Sequence, residues 1–312
     1  MADLNHRKVY IAGHTGLVGS ALVRRFSRLE GIELVTAARA ELDLTDGKAV
    51  ESFLQKARPD IVIVAAGRVG GILANSLYPA EFVYENLMIQ ANLIHGSWKA
   101  GVGRLLNFGS SCMYPRESRQ PMSPDQLLSG QLEPTSEPYA IAKLAGLSLG
   151  SSYNRQYGAN YITAIPCNLY GPGDAFEPTY SHVIAALILK FHKARIEGAS
   201  SVEVWGDGRA RREFLYVDDL AEACELLLLS YDRSEPINIG SGQFSTVGEL
   251  AQAIAAAVGY EGEIRWDRSR PAGAPEKLLD SSAVKALGWS PRTDLCAGLK
   301  QAYAWFLVKH AS

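Results

Sequence analysis

Short apolar runs alternate with stretches of helical periodicity through the first half of the chain. Val9-Tyr10-Ile11-Ala12 reads as a strand and residues 17–29 as a helix. Residues 33–37 give a second strand, and residues 50–56 lie in a helix. Ile61-Val62-Ile63-Val64-Ala65 is continuously apolar, the pattern of a strand buried on both faces. A long helix includes residues 82–100, followed by a strand at 105–108, a helix at 139–157 and a strand at 161–166. This alternation predicts an α/β fold of the Rossmann type: a doubly wound parallel sheet with right-handed crossovers.

After Pro166 the pattern loosens. Residues 168–181 are rich in Gly, Pro and polar residues and read as a loop. A helix over 182–194 follows, then short strands at 202–205 and 213–217. Asp218 is placed to cap a helix that reaches about residue 229. Residues 236–240 read as a strand that returns to the sheet. The expected division is a dinucleotide-binding domain (1–168 plus about 213–243) and a smaller, discontinuous α+β substrate lobe (about 169–212 plus 244–312), without internal repeats.

Charge is nearly balanced, with 31 basic and 33 acidic residues. Neither nucleic acid nor an anionic membrane is the expected partner. No apolar run approaches the roughly 20 residues that cross a bilayer. The N-terminal residues carry no apolar signal core, so a cytoplasmic location is expected. Cys112, Cys167, Cys224 and Cys296 lack metal-ligand spacing, and no metal site is expected. The last three read as packing residues.

Gly13-His14-Thr15-Gly16-Leu17-Val18-Gly19 lies between the first strand and the first helix. Glycines there let a turn approach a pyrophosphate, and the helix N-terminus supplies N–H groups and partial positive charge. Ala65, Ala66 and Gly67, at the tip of the third strand, are further cofactor candidates. An NAD site usually has an acid at the end of the second strand, against the ribose 2′-hydroxyl. Here the strand runs out in Ala37-Ala38-Arg39. Arg39 suits a 2′-phosphate, so the expected cofactor is NADP(H), with Leu42 and Asp43 on the adenine side.

Tyr139 and Lys143 stand four residues apart, on one helix face. A free phenol has a pKa near 10. A neighbouring ammonium stabilises its anion and makes it a usable proton donor. Ser110 follows the fourth strand and is placed to hydrogen-bond the carbonyl oxygen that Tyr139 would protonate. Cys112 and Met113 come next, and a thiol can move protons at a carbon beside a ketone.

Ordered segments along nearly the whole chain carry a resemblance. They include Ile11-Ala12-Gly13-His14, Val69-Gly70-Gly71-Ile72, Gly109-Ser110-Ser111-Cys112 and Glu137-Pro138-Tyr139-Ala140-Ile141-Ala142-Lys143. Ser152-Tyr153-Asn154-Arg155-Gln156-Tyr157-Gly158, Asn168-Leu169-Tyr170-Gly171-Pro172, Arg212-Glu213-Phe214-Leu215 and Lys277-Leu278-Leu279-Asp280 extend it. The chain resembles the GDP-L-fucose synthases, the GDP-4-keto-6-deoxymannose 3,5-epimerase/4-reductases of the extended short-chain dehydrogenase/reductase superfamily.

The resemblance implies a Ser110–Tyr139–Lys143 reductase triad and a Cys112/His182 acid–base pair acting at C3 and C5. It implies that Pro166, Asn168, Leu169 and His182 lie toward the nicotinamide. Ser111, Asn168, Lys190, Trp205, Arg212 and Lys277 would meet the GDP-sugar. Thr15 and Lys190 depart from an Arg found in some relatives. A homodimer through a four-helix interface of 82–100 and 139–157 is implied too. Alternatives within the fold are a colitose-type dideoxy sugar, a GDP-keto-heptose, or an NAD-retaining 4-epimerase.

Overall fold

The structure is a computed structural model that describes residues 4–177, 180–269 and 275–310. The chain runs β1 (Lys8–Ala12), α1 (Leu17–Phe26), β2 (Glu33–Val35), α2 (Gly47–Ala57), β3 (Ile61–Val64), α3 (Ile72–Leu77), α4 (Pro79–Lys99) and β4 (Arg104–Phe108). It continues α5 (Glu137–Tyr157), β5 (Tyr161–Pro166), β6 (Asn168–Tyr170), α6 (Val183–Glu197), β7 (Ser201–Trp205), β8 (Arg211–Tyr216) and α7 (Val217–Ser230). It ends β9 (Ile237–Ile239), β10 (Phe244–Thr246), α8 (Val247–Val258), β11 (Glu263–Asp267), β12 (Glu276–Lys277), α9 (Ser282–Ala286) and α10 (Leu295–His310).

The central sheet is parallel throughout, in the order β2-β1-β3-β4-β5-β9. Successive side chains of a strand point to opposite faces, and the packing follows that rule. Val9, Ile11, Ile61, Ile63 and Leu106 meet α1 and α7 through Leu22, Phe26, Leu220 and Leu227. Tyr10, Ala12, Val62, Val64 and Leu105 meet α2 and α4 through Val50, Leu54, Leu93 and Ile94. With both faces covered, β3, β4 and β5 are buried along their whole length, which is why β3 is apolar without alternation. After β2 the chain crosses back to lay β3 on the other side of β1. A crevice therefore opens beyond the carboxyl ends of β1 and β3, the switch point at which such sheets bind ligands.

A second core lies beside this sheet. It packs Ile184, Leu187, Ile188 and Phe191 of α6 against Leu250 and Ile254 of α8 and Leu299, Tyr303 and Phe306 of α10. β8 is its organising strand: it pairs with β10, with β12 and with β6. The return of the chain to the main sheet through β9 agrees with the sequence pattern.

Several expectations need correction. Residues 168–170 fall in the predicted loop, yet they form β6, because Asn168, Leu169 and Tyr170 register on Phe214, Leu215 and Tyr216. A three-residue strand takes its order from a partner distant in sequence, which no local pattern reports. Asp218 does not cap α7: Tyr216 holds that position, and the Asp218 carboxylate pairs with Arg24 of α1. α1 stops at Phe26 and β2 at Val35, both short of the predicted ends. Cys167 and Cys224 are buried as expected, but Cys296 is exposed on α10.

Glu213 of β8 is fully buried and accepts hydrogen bonds from the amides of Gly242 (2.6 Å) and Leu279 (3.0 Å). It ties β8 to the turn after β9 and to the segment after β12. Leaving two buried amides unsatisfied in Glu213→Ala should lower unfolding stability by about 2–5 kcal/mol. A denaturant midpoint matching that of the parent protein would refute this role.

Candidate active site

The glycine turn sits in the crevice. Gly13 has φ +82, and a Cβ there would come 2.6 Å from Ala66 Cα, so the turn and the tip of β3 touch backbone to backbone. A Cβ at Gly19 would come 2.0 Å from the Gly13 carbonyl oxygen, so α1 packs this close only on glycine. Gly16 is the N-cap of α1, and no side chain caps the first-turn amides. With Thr15 exposed at the turn and Leu17 and Val18 opening the helix, those amides are left to an anion. His14 Nδ1 is buried without a partner. Ala65, Ala66 and Gly67 form the opposite wall. A backbone cradle, uncapped amides and an orphaned ring nitrogen together fit a dinucleotide pyrophosphate.

Arg39 stands exposed beyond β2, 3.8 Å from the Glu85 carboxylate. Glu41, two residues on in sequence, is turned onto its own backbone, accepting from the Ala38 amide at 2.8 Å. Leu42 is buried in the core over α2. The Asp43 carboxylate accepts from the amide and hydroxyl of Thr45 at 2.9 and 2.8 Å, and these bonds lower its pKa. Leu42 thus packs in the core, while Asp43 stays exposed at the approach to α2.

α5 brings Tyr139 and Lys143 to the next opening in the sheet. The Lys143 ammonium lies 5.8 Å from the centre of the Tyr139 ring and donates to the Phe108 carbonyl at 2.9 Å, at the tip of β4. Burial disfavours its charge and lowers its pKa to about 8. Burial also raises the Tyr139 pKa, the neighbouring Cys112 adds to that, and a hydrogen bond with Ser110 opposes both. The phenol thus keeps its proton for donation. Ser110 caps the short turn Ser111–Met113, its hydroxyl accepting from the Cys112 amide at 3.2 Å. That cap holds the thiol beside the phenol. Ser111 itself is buried.

Arg212 of β8 comes from the second core. Burial lowers its pKa, while Cys112 and Glu133 nearby favour its charge. Cys112 therefore lies close to a cation. Lys277 of β12 is in register with Arg212. Pro166 ends β5, Leu169 packs on the main core, and the Asn168 amide donates to the Glu213 carbonyl at 2.9 Å. His182 is the N-cap of α6. Its side chain is accessible to solvent, yet desolvation by the surrounding protein lowers its pKa, as on the wall of a cleft. The structure thus gathers Ser110, Cys112, Tyr139, Lys143 and Arg212. Lys190 and Trp205 form a pair of their own, 6.0 Å from ammonium to ring centre, with Lys190 donating to the Glu203 carbonyl.

The NAD dependent epimerase/dehydratase family matches residues 9–240, from β1 through β9. The chain belongs to that family. Within it, a GDP-L-fucose synthase of Arabidopsis thaliana is 50% identical, over 96% of this chain and 93% of the relative. A GDP-L-fucose synthase of Escherichia coli is 48% identical over 97% and 98%. A GDP-mannoheptose C4 reductase of Campylobacter jejuni, solved with NADP bound, superposes with a TM-score of 0.89 at 36% identity, over 98% of this chain and 99% of that one.

In this member of the epimerase/dehydratase family, sequence reasoning missed the residues behind the site. Asn86 of α4 accepts from the Arg68 amide (3.1 Å) and donates to the Arg68 carbonyl (2.9 Å), fixing the strand tip at Gly67. Gln90 donates to the Ala142 carbonyl (3.0 Å) and accepts from Asn107 (3.2 Å), locking α5 onto β4 and so Lys143 onto Phe108. Both are almost wholly buried. Amides four residues apart on an otherwise apolar helix stripe were the available signal.

The Lys143 value sets a pH dependence. Its folded pKa lies below the ordinary lysine value, so the cation beside Tyr139 is present below pH about 8 and is lost above it. In the free enzyme, kcat/KM should therefore fall as pH rises through about 8, and Lys143→Met should remove that limb along with most activity. A profile that stays flat to well above that pH would refute the assignment.

Proposed function

We propose that the protein carries out NADPH-dependent 3,5-epimerisation and 4-keto reduction of GDP-4-keto-6-deoxy-D-mannose to GDP-L-fucose. The observation that carries this reading is the Cys112 thiol close to both the Ser110–Tyr139 pair and the Arg212 guanidinium. A simple reductase needs the triad alone. A thiol in the same cluster adds a proton carrier beside the carbonyl.

The 4-ketone acidifies the protons on C3 and C5, because the resulting carbanion delocalises as an enolate. Ser110 and Tyr139 hydrogen-bond the developing oxyanion. Cys112 and His182 exchange protons with the sugar carbons from opposite faces, which inverts each centre; the lowered His182 pKa keeps its imidazole neutral and able to accept. Bound NADPH supplies the hydride to C4. Tyr139 then gives its proton to the oxygen, and Lys143 stabilises the phenolate left behind. Arg212 and Lys277 provide the cations that a diphosphate needs. The main core holds the dinucleotide and the second core the sugar nucleotide, with the cleft drawn from both.

Arg39, exposed beyond β2 beside a Glu85 carboxylate that Arg68 already pairs, supports NADP(H) over NAD. Tyr84, Ile141 and Tyr157 expose apolar surface on α4 and α5, which supports a homodimer through those helices. A catalytic thiol must stay reduced, which favours the cytoplasm. No described helix is long and apolar enough to cross a membrane. The likeness to the Campylobacter reductase favours a second reading, the same chemistry on a GDP-keto-heptose.

Incubation with GDP-4-keto-6-deoxymannose and NADPH should yield GDP-L-fucose by NMR, with one cofactor oxidised per product. A panel including a GDP-keto-heptose separates the two readings, and failure on every keto sugar sinks both. Cys112→Ser should slow solvent deuterium entry at C3 and C5 by about 100-fold or more while NADPH affinity stays close to normal. Exchange at the parental rate would remove the thiol from the mechanism. Arg39→Ala should raise the KM for NADPH by about 10-fold or more and leave that for NADH unchanged; equal changes in both would refute 2′-phosphate recognition.

A further inference from the structure

His182 is the one proposed proton carrier that the core does not hold directly. It enters α6 from the segment that includes Tyr180 and Ser181, and that segment rests on the chain just beyond β3. The Gly71 amide donates to the Tyr180 carbonyl at 3.2 Å. A Cβ at Gly71 would come 2.7 Å from the Ser181 carbonyl oxygen, so the two stretches lie backbone on backbone.

One side chain spans the junction. The Arg68 guanidinium sits over Tyr78, Phe82 and Tyr180, at 5.5, 5.7 and 5.9 Å from the ring centres. It donates to the Tyr180 hydroxyl at 3.3 Å and pairs with Glu85 at 2.8 Å. The pair is largely shielded, with side-chain exposures of 23% for Arg68 and 17% for Glu85, so water screens it less than a surface pair. Asn86 fixes the Arg68 backbone from both sides, and Glu85 is anchored on α4. The fork is thus rigid at its base and reaches across to the Tyr180 ring, which also stacks on Tyr78, while Ser181 is tied separately to Ala175 and Glu177.

We propose that Arg68 is a positioning residue for His182, which it holds at the cleft by clamping Tyr180 from the Glu85 pair. This rests on His182 being an epimerisation acid–base. Phe82 also lies between Arg68 and Tyr139, its ring 6.3 Å from the phenol ring. Phe82 is fully buried, however, and its place is set by the core. Losing Arg68 therefore loosens the Tyr180 side and leaves the Tyr139 side in place.

The two steps can be read separately in the full-length protein. Deuterium entry into GDP-4-keto-6-deoxymannose in heavy water, with NADP⁺ present, reports proton exchange without hydride transfer. Oxidation of GDP-L-fucose by NADP⁺ reports hydride transfer. Arg68→Met keeps the packing stem and removes the fork. It should slow deuterium entry roughly 10-fold at one of the two carbons, with the initial rate of GDP-L-fucose oxidation within about twofold of the parent. His182→Gln should abolish entry at that same carbon. If His182→Gln leaves both carbons exchanging normally, the acid–base reading falls and the proposal with it. If His182→Gln acts as expected but Arg68→Met changes nothing, or slows exchange and oxidation alike, the positioning role alone is overturned.

Discussion

Lys143 carries its ammonium into the protein interior beside the Tyr139 ring, and the proposed chemistry depends on that charge being there. A buried cation is disfavoured, and the carbonyl of Phe108 offsets part of the penalty. That carbonyl is available because β4 ends at this point, where it no longer needs a partner along the sheet. The same low-dielectric surroundings that depress the lysine make its charge act strongly on the phenol beside it. Gln90 and Asn107 stand behind the arrangement, bracing α5 against β4. A small rotation of α5 would separate the ammonium from its carbonyl, so the buried amides set the electrostatics of the site.

Around this point the cleft is built from both cores. The main sheet supplies the glycine cradle, the cap at Ser110 and the Tyr–Lys pair. β8 of the second core supplies Arg212, next to the thiol that Ser110 positions. Glu213, the neighbour of Arg212, faces the other way and is fully buried on the amides of Gly242 and Leu279. Alternation along one strand thus gives a cation for the cleft and an anchor for the lobe. In the proposed mechanism the same oxygen-binding groups meet both an enolate and an alkoxide, so one pocket serves proton exchange and reduction in turn.

Much of this was legible in the chain itself. The unbroken apolar run at 61–64 announces a strand covered on both faces. Glycines at 13, 16 and 19 announce a turn whose backbone must come close to something. Tyr139 and Lys143 four residues apart must share a helix face. Each inference draws on the sterics and periodicity of residues close together in sequence, and each survives in the structure. The resemblance then named the remaining site residues, but it did not say what any of them touches.

Tertiary structure decided the rest. β6 exists only because Asn168, Leu169 and Tyr170 find Phe214, Leu215 and Tyr216. Asp218, suited by type to cap its helix, pairs instead with Arg24 from the far end of the chain. Leu42 faces the core, and Arg68 takes Glu85 and Tyr180 as partners that no spacing suggests. Local sequence fixes which elements form, because backbone sterics and side-chain periodicity act over a few residues. Which charges and rings meet is set by pairing and packing between segments far apart along the chain, and those contacts exist only once the whole fold has closed.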